Sequence, residues 1–500
     1  MSRVLAICRN NTRSANVVRL QQRRTVMMGA TSAHAPKKEG DISSVFVSLS
    51  GETREPLPDR FRELKKQLVA GHESAVVRSW GRLLASLREE TGLIGSQGPA
   101  IIPSLDFKDL ERDVATLKSE IKKRGAAVVR GVVDEKEARA YKDEIEAYVR
   151  SNPSTKAFPA DNPQVYELYW SLPQIKARGH PSLLKTQATL MRELWNKSPG
   201  SEISLQPLTY GDRLRIRQPG DATFALGPHI DGGSLERWES DGYGKTGVYD
   251  SVFRGEWEAY DPWDVDARVH AVQDLYNGAG ACSMFRMFQG WLSMSAVGPR
   301  EGTLLVNPLV QHTTAYLLLR PFFQPLKSDK EAGREGFLRE ENWVFTGGEA
   351  MNSELQGATP GHCQELTAEL HPHLRLDSTM VHVPQIRPGD FVVWHADQIH
   401  AVDFVHEGKG DSSVLYIPVC AVTDQNVEYL KRQREAFLAG LPGPDFPGGK
   451  GESDHVGRPG NTHVKGIEAR RAMGLEPLVQ TGEGDGERRL IERANQHLGF

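Results

Sequence analysis

The chain carries His229-Ile230-Asp231 and, far downstream, His400. Two imidazoles and one carboxylate can hold a redox-active iron on one face and leave its other coordination positions open, which is the pattern of non-haem Fe(II) oxygenase chemistry. Neutral imidazole nitrogens suit a borderline metal, and a single anionic oxygen leaves charge for a second anionic ligand to chelate beside it. The triplet alone is weak: with 16 histidines, a His-x-Asp arises about once by chance, and His395-Ala396-Asp397 is a second example. A triad of His395, Asp397 and His400 would be local and is the competing arrangement.

The elements that must position these groups are legible. Leu214-Arg215-Ile216-Arg217 reads as a strand, Gln218-Pro219-Gly220-Asp221 as a turn, and the chain then runs through Phe224-Ala225-Leu226 into His229. Residues two apart in an extended chain point to the same side, so His229 and Asp231 can share one ion. Ile386-Arg387-Pro388-Gly389-Asp390 is a turn that launches the apolar strand Phe391-Val392-Val393-Trp394, and His400 follows. That arrangement returns a histidine from the far side of a barrel.

With these motifs the chain resembles the Fe(II)/2-oxoglutarate-dependent dioxygenase superfamily, whose members carry His-x-Asp near the first strands of a double-stranded β-helix and a distal His after a Gly-Asp turn. Gly125 to Val133 followed by Asp134-x-x-Glu137 resembles the strand-then-helix entry of phytanoyl-CoA-hydroxylase-like members, and the Asp and Glu are also a credible helix-start box. Met287 to Met294 and Gly302 to Pro308 resemble the middle barrel strands. Met380 to Pro384, Trp394 to Val402 and Asp411 to Val419 are similar to a YbiU-like branch with fungal N-acetylglucosamine-inducible relatives. The resemblance implies Fe(2+) held by His229, Asp231 and His400, with His395 at a non-ligand position, and 2-oxoglutarate as co-substrate. It departs at one point: members usually place an Arg about ten residues past the distal His for the far carboxylate, and here that stretch reads Lys409-Gly410-Asp411-Ser412-Ser413. Candidates for that anchor and its surroundings are Arg215, Arg217, Arg286, Gln289, Lys409 and Ser413. Trp291 and Trp394 are candidates for the substrate pocket, against core packing as aromatic barrel residues.

The implied fold is α+β with a mainly β core, a jelly-roll or cupin-like barrel with a helical N-terminal layer and long insertions. Residues 1–40 read as a targeting or disordered segment: six arginines precede the first acid at Glu39, a composition matching a mitochondrial presequence, with a cytoplasmic protein as the alternative. Residues 41–200 are expected to form a helical region packing on the barrel, 201–426 the catalytic barrel, and 427–500 a helical and loop extension. Two insertions interrupt the barrel. Residues 232–274 hold ten acids, four basic residues and seven aromatics; they suggest either a lid or pocket wall for a sugar-like or cationic substrate, or an ordered loop packed on the barrel. Residues 321–379 are polar and Gly-rich, and His371-Pro372-His373 reads as surface loop.

At 39% hydrophobic and 25% charged residues the composition is that of an ordinary soluble domain, and no apolar run reaches membrane-span length. A net charge of -4 gives no reason to expect nucleic acid. The four separated cysteines suggest neither a disulfide framework nor structural zinc. The expected partner is a small-molecule substrate, with no membrane and a homo-oligomer open. Two rival functions remain: a cupin-like metalloenzyme without 2-oxoglutarate, and a non-catalytic metal- or ligand-binding barrel.

Overall fold

The computed structural model describes residues 37–51, 54–223, 225–279 and 281–500. The arginine-rich start of the chain, on which the targeting expectation rests, lies outside them. Helical periodicity at the N-terminus is realised in Arg60–Val69 and Glu73–Gln97. Val76, Trp80, Leu83, Leu87 and Ile94 of the second helix, spaced three or four apart or by two turns, are all buried against the core.

The chain next forms β1 (Ser104–Asp106) and β2 (Ala126–Arg130), joined by the helix Leu110–Arg124. The Ala126 to Val129 part of β2 is an unbroken, fully buried apolar run, as a strand covered on both faces requires. Asp134 caps the helix Glu135–Ser151 through the amides of Lys136 and Glu137, while the Glu137 carboxylate takes the Tyr141 hydroxyl. A short hairpin of β3 (Ala157–Phe158) and β4 (Val165–Tyr166) precedes the helix Pro181–Leu194, then come β5 (Ser204–Leu208), β6 (Leu214–Arg217) and β7 (His229–Ile230). β8 (Arg286–Ser293) and β9 (Leu304–Val306) lead into the helix Val310–Leu319 and a separate hairpin of β10 (Phe323–Pro325) and β11 (Trp343–Phe345). β12 (Gln364–Glu365), β13 (Val381–His382), β14 (Phe391–His395), β15 (His400–Val402), β16 (Ser412–Tyr416) and β17 (Val419–Val422) complete the strands. The helices Asp424–Ala439 and Asp485–Leu498 follow.

The architecture is α+β, built on a ten-stranded mixed sheet and a five-stranded antiparallel sheet. The first has the order β1-β2-β14-β8-β16-β6-β4-β3, with β17 bridging β8 and β5; the second has the order β12-β7-β15-β9-β13. Trp291, Val392, Trp394 and Val414 of the first sheet share one core with Ile230, Leu304, Val306 and Val381 of the second, so the two sheets face each other. Strand alternation sends Phe391, Val393, Leu292 and Leu415 to the opposite face, against the helices Leu110–Arg124, Glu135–Ser151 and Pro181–Leu194.

Three expectations are corrected. The 41–200 region is not only a helical layer: β1 to β4 lie within it and extend the ten-stranded sheet, because the Ala126 to Val129 run has no polar face to turn to solvent. The 321–379 insertion is not a polar surface excursion; Phe322, Phe323, Trp343, Leu366 and Leu374 are core residues. Within it His371 and His373 are buried rather than on a surface loop, with the His373 ring enclosed by Trp80, Tyr316 and Trp343.

Candidate metal centre

His229 and His400 are direct cross-strand partners on β7 and β15, with ring centroids 4.1 Å apart. Asp231 lies just past β7, two residues along the same face. Together they offer one ligand atom each, all within 4.8 Å of one another, the set of three or more potential metal ligands found among the described residues. His229 Nε2 is 3.7 Å from Asp231 Oδ1, and His400 Nε2 is 3.5 Å from Oδ2.

The second nitrogen of each ring decides what the first can do. His229 Nδ1 lies 2.7 Å from the Gly227 carbonyl and His400 Nδ1 lies 3.0 Å from the Gln398 carbonyl. A carbonyl only accepts, so each Nδ1 carries the proton and each Nε2 is left with a lone pair. Burial, with His400 beside it, pushes His229 down to about 4, so it is neutral near pH 7. Burial alone would raise Asp231, but its contacts with the His400 and His229 rings and the Arg286 guanidinium nearby hold it well below the usual carboxylate range. Two lone pairs and a carboxylate therefore converge with no proton between them. That donor set fits a divalent cation. Gln289 Nε2 donates to Asp231 Oδ2 at 3.0 Å, while its Oε1 is buried with no protein partner. Gln289→Leu, which frees the carboxylate to rotate, is expected to lower metal affinity by about 10- to 100-fold; competition with a chromophoric chelator measures it.

The turn before β14 supports the distal ligand from a distance. Gly389 has φ +87°, and a Cβ there would lie 2.0 Å from the Val133 carbonyl oxygen. Asp390 accepts from the Gly131 amide (2.9 Å), the Arg130 guanidinium (2.9 Å) and the Arg387 amide (3.0 Å), pinning β14 to β2.

The competing local triad is dissolved. His395 is sandwiched by Trp195 and Trp263, its Nε2 donates to the Pro262 carbonyl at 3.0 Å and its Nδ1 accepts from the Asp397 amide. Asp397 is the hub of the 232–274 insertion: Arg268 (2.6 Å), Arg237 (3.5 Å), Tyr249 (3.1 Å) and Tyr260 (3.3 Å) all reach its carboxylate. Arg237 also holds the backbone carbonyls of Asp231 and Gly233, so the hub braces the turn that carries Asp231. The insertion's aromatics are thus spent on Asp397 and the core. Its Gly232, Gly233, Glu236 and Asp274 form part of the cavity wall, but none of Trp238, Tyr243, Tyr249, Trp257, Tyr260 or Trp263 lines it, so the insertion brings no aromatic ring to the cavity.

A cavity opens on the triad. Trp291, Trp394, Gln289, Arg215 and Arg286 line it. The other three candidates do not. Arg217 is fully buried and clamps the loop after β15, its Nε on Asp221 (2.7 Å) and its two Nη on the carbonyls of Asp403 (2.6 Å) and Phe404 (2.8 Å). Lys409 is exposed in the turn before β16. Ser413, next to the inward-facing Val414, is on the opposite face of β16; its hydroxyl donates to Asp411, which Arg139 also holds. Arg286 and Gln289, three apart, share a face because the register of β8 against β17 shifts at Val419 and Cys420.

The cavity also uses residues that sequence reasoning did not single out. Tyr416 is signalled by its parity with Val414, and Arg213 by its parity with Arg215; Arg213 leans on the Phe446 ring at 4.7 Å. Ile42, Val45 and Phe46 come from the segment after Lys37, which had no readable signal, and Phe46 meets the His229 ring edge-on at 4.8 Å.

A family model described as Gig2-like matches residues 55–475. The uncharacterized protein YbiU of Escherichia coli (strain K12) is 30% identical over 409 residues, covering 79% of this chain and 90% of that protein. Among solved structures, the GlcNAc-inducible gene 2 protein of Candida albicans is similar with a TM-score of 0.78 at 32% identity, covering 90% of this chain and 97% of that one. A Salmonella typhimurium LT2 protein, described as a candidate oxidoreductase, has a TM-score of 0.69 at 28% identity, covering 84% and 99%.

Proposed function

Since this chain belongs to the Gig2-like family, whose members share the fold that builds the triad, we propose that it is a non-haem Fe(II) oxygenase that couples decarboxylation of 2-oxoglutarate to oxidation of a small organic substrate. One observation carries the reading: the two Nε2 lone pairs and the Asp231 carboxylate converge on one point at the wall of a cavity, with each Nδ1 tied to a carbonyl. Three protein ligands on one side leave positions for a bidentate keto acid and a further small ligand. Iron bound there would supply the reduction of dioxygen at the expense of the keto acid. A double-stranded β-helix is supported by the way β14, β8, β16 and β6 face β7, β15, β9 and β13, strands remote in sequence interleaving in both sheets.

The protein's own residues do the positioning. Gln289 and the two carbonyls fix the ligand orientations, and Trp291 and Trp394 keep the inner wall apolar. Arg215 takes the role of the missing Arg after the distal His. It sits opposite Val414 on the neighbouring strand, so a guanidinium reaches the same part of the barrel from β6 rather than β16. Its Nη2 rests on the Gly302 carbonyl (2.9 Å) and Ser412 (3.4 Å), while its buried Nε has no partner. Removing a buried partner of a carboxylate costs about 2–5 kcal/mol, so Arg215→Gln is expected to weaken 2-oxoglutarate binding by at least ~30-fold with metal affinity unchanged; calorimetric titration of the metal-loaded protein reads both. The reading as a whole is tested by incubating protein, Fe(II), ascorbate and 2-oxoglutarate in air. Succinate should form in wild type and not in His400→Ala. Oxygen uptake without succinate would move the protein to a metalloenzyme that uses no keto acid.

A further inference from the structure

Buried arginines in this protein have acceptors, as the cost of an unpaired internal charge demands. Arg217 has Asp221, Arg268 has Asp397, Arg237 has Asp397 and two carbonyls, and Arg178 has the carbonyls of Tyr169 and Asp212. Arg286 departs from that rule. It is 8% exposed and lines the cavity, yet no hydrogen bond or ion pair reaches its guanidinium among the described residues, and its Nε is buried without a partner.

Its neighbours cannot supply the missing charge. Burial pushes the Cys282 thiol up to about 11, so it stays protonated, and burial raises the Cys420 thiol well above its ordinary value too. The Tyr210 hydroxyl donates to Asp445 at 2.9 Å. Asp231 is the nearby carboxylate that acts on Arg286, and its oxygens are turned to His229, His400 and Gln289. The space beside the guanidinium is kept open by glycine: Gly232 and Gly233 have φ of +81° and +78°, and a Cβ on Gly232 would lie 3.8 Å from Arg286 Nη2.

The strand register sets Arg286 apart from Arg215. Arg215 is opposite Val414, which is opposite Ser293 at the far end of β8; Arg286 begins β8, opposite Cys420. Gln289, which touches Asp231, lies between those two levels. The two arginines therefore start from opposite ends of the length of β8, Arg215 from β6 at the Ser293 level and Arg286 from the first residue of β8, with the level of Gln289 between them. We propose that Arg286 is the recognition residue for the organic substrate, and that this substrate is a carboxylate. The assignment rests on the reading above in one respect, that the keto acid takes the Arg215 side.

The test uses full-length protein loaded with Mn(II), with and without saturating 2-oxoglutarate, and the probes butyrate, hexanoate and benzoate beside their primary amides. Thermal shift and calorimetry should show that at least one acid binds while its amide binds at least ~10-fold more weakly, and that Arg286→Met removes the difference while Arg286→Lys keeps part of it. Arg286→Met should hold 2-oxoglutarate within about threefold of wild type, and its probe-free Tm should not fall, because an unpaired buried charge has been removed. Acids that bind no better than amides, or an acid preference untouched in Arg286→Met, overturn the proposal. So does loss of 2-oxoglutarate binding in Arg286→Met with none in Arg215→Gln, which would make Arg286 the keto-acid anchor. An Arg286-dependent acid preference in a protein that binds no 2-oxoglutarate would uphold the carboxylate site and sink the co-substrate.

Discussion

His400→Ala is expected to abolish turnover and to lower metal affinity by more than the ~100-fold that loss of an outer partner costs, and His395→Ala to keep metal binding. The two histidines are five residues apart and both buried, so sequence distance does not separate them. Their nitrogens do. Both nitrogens of His395 are committed, one to the Pro262 carbonyl and one to the Asp397 amide, whereas His400 has a free Nε2 aimed at Asp231. His395→Ala instead empties a slot between two indoles, and a cavity of that kind costs several kcal/mol of stability. Metal content by elemental analysis, read beside the unfolding midpoint, separates the ligand from the packed ring.

Asp397→Asn is the second large effect, and it acts on stability. The side chain keeps its volume but no longer balances Arg237 and Arg268, both buried and both directed at it. Breaking a buried charge network by removing one partner costs about 3–5 kcal/mol. Burial would raise this carboxyl, yet Arg268 and Arg237 outweigh it and hold it well below the ordinary range. A depressed folded value means that the contribution is complete above the unfolded carboxylate value of about 4 and is lost progressively as pH falls from there to the folded one. The wild-type advantage over Asp397→Asn should therefore be flat across neutral pH and shrink below about pH 4. Denaturant unfolding at pH 7 and at pH 3 checks both parts. Because Arg237 also holds the Asp231 carbonyl, the variant should bind metal more weakly even where it is folded.

The site was legible where chemistry and periodicity coincide. His229 and Asp231 stand two apart on an extended segment, and Pro388-Gly389-Asp390 marks the turn that brings β14 and then His400 back beside β7. The anchor residues were less legible because alternation breaks where they sit. Arg215 and Arg217 share a parity, but Arg217 is captured by the loop at Asp221 and Asp403, which no local pattern announces. Arg286 and Gln289 share a face only through a shifted register. The aromatic and acidic content of residues 232–274 suggested a ligand surface, yet Tyr249 and Tyr260 answer to Asp397, a partner more than a hundred residues away, and the tryptophans pack in the core. Residues 37–50 gave no signal at all, since a short segment is placed by what it covers. In the fold, the helices and the central strands followed from their periodicity, whereas the recruitment of β1 to β4 into the large sheet depended on non-local pairing with β14 and β6.

The central claim is that His229, Asp231 and His400 hold a metal to which a keto acid can bind. It is tested most directly by anaerobic Fe(II) reconstitution and titration with 2-oxoglutarate, following the visible metal-to-ligand charge-transfer band in wild type, His229→Ala, His400→Ala and His395→Ala. Wild type and His395→Ala should give a band, and the other two none. Iron binding without a band in wild type, or a band lost in His395→Ala and kept in His400→Ala, would contradict it.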